Sequence, residues 1–88
     1  MKPVKTTREF DLRYKARIAK NEILKQAFKE SLRDFLEDPG LVDDHPLEKK
    51  MYLFRSFSIN EDYRVVYLEM PEYFLLIDIG THEEVYYR

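Results

Sequence analysis

An α+β fold, a helical hairpin laid against a small antiparallel sheet, is what this 88-residue sequence predicts. Three observations carry the prediction. Apolar residues recur at helical spacing through the first 36 positions, a polar loop broken by Pro46 follows, and the remainder alternates strand-forming runs with turn chemistry.

Each element has its own signal. Thr6 and Glu9 form a capping-box pattern, and Phe10, Tyr14 and Ile18 then repeat every four residues, which predicts a helix over about 7–19. Asn21 is a second N-cap, and Leu24, Ala27, Phe28, Ser31, Leu32, Phe35 and Leu36 outline an apolar stripe that stops at Asp38-Pro39-Gly40. The link at Lys20-Asn21 permits only a helical hairpin or a bend. The exposed helix faces are expected to hold Arg13, Arg17, Lys20, Lys25, Lys29 and Arg33. Residues 41–50 read as a loop. Three strands, 52–59, 63–69 and 73–79, form a meander joined by Asn60-Glu61-Asp62 and Met70-Pro71-Glu72. Residues 2–6 add a short first strand and 84–87 a short last one. In the strand over 52–59, alternation puts Leu53, Arg55, Phe57 and Ile59 on one face and Tyr52, Phe54, Ser56 and Ser58 on the other. One side of the sheet covers the helices, and the other is left for a site.

Length and composition narrow the class. The chain is expected to be one domain over 1–88, with a core built largely from six Phe and seven Tyr. Without cysteine it has no disulfide and no thiolate metal site, which fits a reducing cytoplasm. The charged first eleven residues contain no signal-peptide run, and no stretch approaches a membrane span, so no membrane partner is expected. Charge is unevenly spread: residues 1–36 hold ten Lys or Arg against five Asp or Glu, a balance of +5, and residues 37–88 hold five against twelve, a balance of −7. A basic helical half attracts nucleic acid or an acidic partner segment, although an RNA-binding protein is ordinarily more basic than a net −2.

His45 and His82 are the two side chains that titrate near neutrality, one in the loop entering the sheet and one in a turn leaving it. Cleavage of RNA by its own 2′-hydroxyl needs a base for that proton and an acid for the departing 5′-oxygen. A histidine pair serves both. Arg64, whose fork matches phosphate oxygens, is the first candidate to stabilise the phosphorane, with Arg55 second. Tyr86 can stack on a base or donate a hydrogen bond, and Asp62 can orient a histidine or act as a base. Each has a structural alternative: His45 before Pro46 can simply close a turn, and Arg64 can pair with Glu69 or Asp62. No metal-ligand spacing, nucleophile arrangement or phosphate-cradling glycine loop is present, so no cofactor is expected.

The succession Asp44-His45-Pro46-Leu47, Phe54-Arg55-Ser56, Asp62-Tyr63-Arg64-Val65-Val66-Tyr67 and Ile79-Gly80-Thr81-His82-Glu83-Glu84-Val85-Tyr86, after two helices, resembles the RelE/ParE superfamily of type II toxins. It looks most similar to the YafQ-like branch. The resemblance implies the RelE-like fold, ribosome-dependent and metal-free cleavage of mRNA, and neutralisation by a cognate antitoxin. The ribosome and mRNA would then be partners, with DNA reached only through the antitoxin. Residue by residue, His45 falls on the loop histidine of the YafQ-like pattern, Asp62 on its acidic position, His82 on its histidine near the C-terminus and Tyr86 on its terminal aromatic. Arg64 matches the strand arginine that contacts phosphate in RelE-like members. Two positions depart: Ser58 stands where a histidine or lysine is expected on the site face, beside Arg55 as a substrate contact, and Asp78 stands where an arginine is frequent. Both remove positive potential. The alternative implied is a non-enzymatic ParE-like toxin that binds DNA gyrase, or an inactive homologue kept for antitoxin binding.

Overall fold

The structure, a computed structural model, describes residues 2–47 and 54–86. The order of elements is β1 (Val4–Thr6), α1 (Arg8–Arg17), α2 (Glu22–Glu37), a 3-10 turn (Pro39–Val42), β2 (His45–Pro46), β3 (Arg55–Ser58), β4 (Tyr63–Glu69), β5 (Phe74–Thr81) and α3 (His82–Tyr86). The strands make one sheet in the order β1-β5-β4-β3-β2, antiparallel except where β1 runs parallel to β5. This is the α+β class that the sequence predicts, with the expected meander extended by a strand at each edge.

Local chemistry sets the helix ends. Thr7, not Thr6, caps α1, accepting from Phe10 N at 3.0 Å, because Thr6 still pairs with Leu76 as part of β1. Asn21 Oδ1 accepts from Ile23 N and Leu24 N and starts α2 as expected. Asp38 ends that helix and at once caps the 3-10 turn through Gly40 N at 3.0 Å. The loop expected over 41–50 therefore opens inside a helical turn, and His45 and Pro46 pair with Ser56 and Arg55 as an edge strand, where Pro is tolerated.

Two strand expectations are corrected. The strand expected over 84–87 is instead the helix α3: Thr81 Oγ1 accepts from Glu84 N at 3.2 Å while Glu84 Oε1 accepts from Thr81 N at 2.8 Å, a reciprocal capping box that outweighs the strand preference of Val85 and Tyr86. The described part of the strand expected over 52–59 is shorter, Arg55–Ser58, while positions 52 and 53, like 87, lie outside the described residues.

The core lies between α1, α2 and one face of the sheet. Phe35 stacks on Phe57 at 4.4 Å and meets Tyr67 and Phe74 edge-on at 4.8 and 4.9 Å, all within one apolar cluster that includes Phe10, Ile18, Val65, Leu76 and Ile79. Ser31, the polar member of the α2 stripe, donates to Ile59 O at 3.1 Å and so satisfies its buried hydroxyl. Phe28 and Leu32 sit at the border of the cluster, only partly buried. Phe35→Ala should accordingly destabilise the protein by about 3–5 kcal/mol, and more than Phe28→Ala, as read from urea unfolding midpoints.

Candidate functional site

Register decides which side chains face away from the helices. His45, Ser56, Val66 and Asp78 are paired in one row across four strands, and Ser58, Arg64 and Gly80 are paired in the next row on the same face. Arg55 is one residue out of phase and shares the opposite face with Phe57. The helix α3 covers the outer face, where Val85, Val66 and Leu47 make a small second core with Phe54 and Tyr86 packed against it.

Arg64 is buried at 3 % exposure, and a buried guanidinium is tolerated only with acceptors around it. Nε donates to Ser56 Oγ at 3.0 Å, Nη2 to Ser56 O at 3.1 Å and to Asp43 O at 2.7 Å, and Nη1 to Asp43 Oδ2 at 3.3 Å. The ion pair is thus with Asp43, not with Glu69 or Asp62. Asp43 reaches it by adopting the left-handed conformation, φ 53°, which lets one residue offer both its carbonyl and its carboxylate; Asp is among the residues that tolerate this region.

The next residue repeats the device on the other face. Asp44 accepts from Arg55 Nη2 at 2.6 Å and from the Tyr67 hydroxyl at 2.5 Å, tying the loop to β3 and β4. The hydrogen bond to Asp44 raises the Arg55 pKa, and the Tyr67 phenol is pushed up by burial and then by its bond to Asp44. Arg55 is therefore engaged on the helix side of the sheet, away from the row that holds His45. These two latches bracket His45. Its Nδ1 lies 3.2 Å from Pro46 O, and since a carbonyl only accepts, Nδ1 carries the proton and Nε2 is left with a lone pair in the neutral ring.

Tyr86 and Ser56 join the two ends of the site. The Tyr86 hydroxyl lies 2.7 Å from Ser56 Oγ, and the His82 ring lies 5.0 Å from that of Tyr86, one helical turn earlier in α3. Asp62 meets His82 through its backbone, accepting from His82 N at 3.1 Å, while its own amide is held in the turn by Asn60 Oδ1. Ser58 Oγ donates to Asn60 O at 2.6 Å, within its own hairpin. Of the residues singled out from the sequence, His45, Arg64 and Tyr86 thus neighbour Ser56, and His82 joins them through the Tyr86 ring. Asp62 and Ser58 serve the turn beside them.

Asp78 is not a gap in the positive field so much as an exchange of charge. Arg13 and Arg17 of α1 cross the edge of β5 beyond the end of β1, placing Nη1 atoms 3.3 and 3.4 Å from Asp78 Oδ1, while Arg17 also donates to Ile79 O at 2.8 Å and pairs with Glu84 at 3.3 Å. Both arginines are turned toward the sheet, unlike the solvated helix face expected of them. Gly80 permits the crossing: a Cβ there would lie 2.7 Å from both Arg17 Nη1 and Glu84 Oε1. Its role is close approach, since its φ is not positive. Ser56, Asp43, Asp44 and Arg17 are the participants that sequence reasoning missed. The paired acids before His45 were their one local signal.

Among the described residues, no three His, Cys, Asp or Glu side chains gather to hold a metal ion, and no helix is long and apolar enough to cross a membrane.

No protein-family model matches the chain, and no curated protein matches it in sequence. Solved structures match it in fold. The fold is the RelE-like one: YafQ of Escherichia coli matches with TM-score 0.78 and 14% identity over 98% of this chain and 99% of that one. YafQ in its complex with DinJ matches at TM-score 0.75 and 18% identity, over 98% and 99% of the two chains. A metal-bound toxin from Helicobacter pylori matches at TM-score 0.75 and 26% identity, over 97% and 99%.

The Tyr67 phenol supplies a pH test of the latch. A folded pKa raised above the unfolded value contributes stability that is complete below about pH 10, the ordinary phenol value, and is lost as pH rises toward the folded value. Thermal unfolding should therefore show stability falling above that point, and Tyr67→Phe should make the decline shallower. Gly80→Ala should cost about 1–3 kcal/mol by displacing Arg17 and Glu84, with a smaller effect in an Arg17→Ala background, where the clash with Glu84 alone is left, in chemical denaturation.

Proposed function

We propose that this chain is the toxin of a type II toxin–antitoxin system and that it cleaves mRNA on the ribosome by metal-free acid–base chemistry in the cytoplasm. What supports the reading is a run of neighbours on the outer face, His45 paired with Ser56, the Ser56 hydroxyl against that of Tyr86 and the Tyr86 ring beside that of His82, on a fold shared with YafQ. His45, with Nε2 free, takes the 2′-hydroxyl proton; the 2′-oxygen attacks phosphorus, the bond to the 5′-oxygen breaks, and His82 protonates that oxygen. The products are a 2′,3′-cyclic phosphate, open to hydrolysis to a 3′-phosphate, and a 5′-hydroxyl. Tyr86 contacts the substrate from α3.

DinJ in complex with YafQ supports an antitoxin as the second partner. On α2, Lys25, Lys29 and Arg33 offer a basic surface for a partly acidic, amphipathic antitoxin segment, and DNA enters only through that antitoxin.

One observation favours a second reading. Arg64, assigned to phosphate by resemblance, already spends four of its five N–H groups inside the protein, and Arg13 and Arg17 are paired with Asp78. A site with so little free positive charge also suits a ParE-like gyrase binder or an inactive antitoxin-binding homologue.

The two readings separate on substitution. His82→Gln and His45→Gln should each lower cleavage by about 10²–10⁴ without unfolding the chain, and mapped mRNA ends on translating ribosomes should disappear. EDTA at levels that spare the ribosome should leave cleavage intact. Equal growth arrest from wild type and the folded double variant, with replication blocked and no new RNA ends, would remove the nuclease reading.

A further inference from the structure

The Ser56 hydroxyl is fully buried, and its described polar neighbours at hydrogen-bonding distance are Arg64 Nε, at 3.0 Å, and Tyr86 Oη, at 2.7 Å. A guanidinium has no acceptor, so Arg64 can only donate to Ser56 Oγ. The serine proton then goes to the one acceptor beside it among the described residues, the Tyr86 oxygen. Were Tyr86 the donor, a buried O–H would be left without a partner, at a cost larger than a hydrogen bond ordinarily contributes.

We infer that Ser56 is a positioning residue, which fixes the Tyr86 oxygen as an acceptor within the fold and leaves the Tyr86 proton free to be donated outward to an anionic substrate group. Arg64 acts through Ser56 rather than on the substrate: its charge polarises the serine O–H, in a chain of bonds running from Asp43 through Arg64 and Ser56 to Tyr86. The ring of Tyr86 packs in the small core with Val85 and Val66 and lies beside His82, so its donor is held where the proposed acid acts. That the anion is an RNA phosphate rests on the nuclease reading. The Ser56 to Tyr86 relation does not.

A phenol oxygen that accepts and one that donates differ in the intensity ratio of the tyrosine Fermi doublet, so the experiment is Raman spectroscopy of the Tyr86 phenol, isolated as the difference between wild type and Tyr86→Phe. The wild type should give the ratio of an accepting oxygen, Ser56→Ala should shift it to that of a phenol that only donates, and Ser56→Thr, which keeps the hydroxyl, should restore it. A folded Ser56→Ala protein with an unchanged ratio would overturn the assignment. Should Ser56→Ala fail to fold, Ser56→Cys, a much weaker donor, takes its place under the same criterion. With ribosomes, Ser56→Ala should lower kcat for mRNA cleavage about tenfold, the scale of one hydrogen bond, with little change in KM; cleavage equal to wild type would also overturn the role. If the ratio moves but the wild type yields no new RNA ends, the nuclease reading falls while the positioning of Tyr86 by Ser56 stands.

Discussion

A guanidinium sealed inside the outer face of the sheet organises everything around it. Arg64 cannot be left there without acceptors, because a buried charge that loses its partners costs several kcal/mol, roughly the scale of a small domain's whole stability. Its demands are met from two directions. Asp43 takes the left-handed conformation to present carbonyl and carboxylate together, and Ser56 presents its hydroxyl and its carbonyl. The first requirement places the loop and, two residues later, His45; the second places the contact of Tyr86 and hence the C-terminal helix. A group with the appearance of a substrate contact is the hub of the site's own structure.

The two faces of the sheet divide the labour. Against the helices lies a closely packed aromatic cluster centred on Phe35 and Phe57, which supplies most of the apolar burial. The outer face has only a small core of Leu47, Val66 and Val85 beneath a helix of five residues. Such a helix does not persist alone. It is held by its capping box and by Arg17, which reaches Glu84 from α1 across Gly80. The element bearing His82 and Tyr86 therefore depends on a polar latch to a helix at the opposite end of the chain, and α3 is tied to the fold's first helix by charge.

That latch also gives Asp78 a structural meaning. An acid at this position draws Arg13 and Arg17 inward and ties α1 to the unpaired edge of β5 beyond the end of β1. The exchange places positive groups beside the site while pairing them, so they serve packing before they serve recognition. Ser58, bonded within its hairpin, adds no charge of its own. The outer face is consequently suited to holding an anion through directed hydrogen bonds more than through a strong positive potential.

The sequence by itself determined the class of fold, both long helices, the β4 and β5 strands and the two turns, because each rests on local periodicity or on capping and turn residues that act within a few positions: Asn21, Asp38 and Asn60 do in the fold what their chemistry indicates. It also offered His45 and His82, by their titration near neutrality, and Tyr86, by its ring and hydroxyl, as candidates for a site. Where local signals competed, it misled. Thr6 was withdrawn from capping by strand pairing, and the C-terminal strand-like run yielded to the Thr81–Glu84 box. What only the tertiary structure decided is who meets whom: that Ser56, not Ser58, stands under Tyr86; that Arg55 faces the helices; that Asp43 answers Arg64 and Asp44 answers Arg55; and that Arg17 closes over Gly80. Those contacts join residues far apart in the chain, and they follow from strand register, in which a shift by one residue exchanges the faces of every side chain.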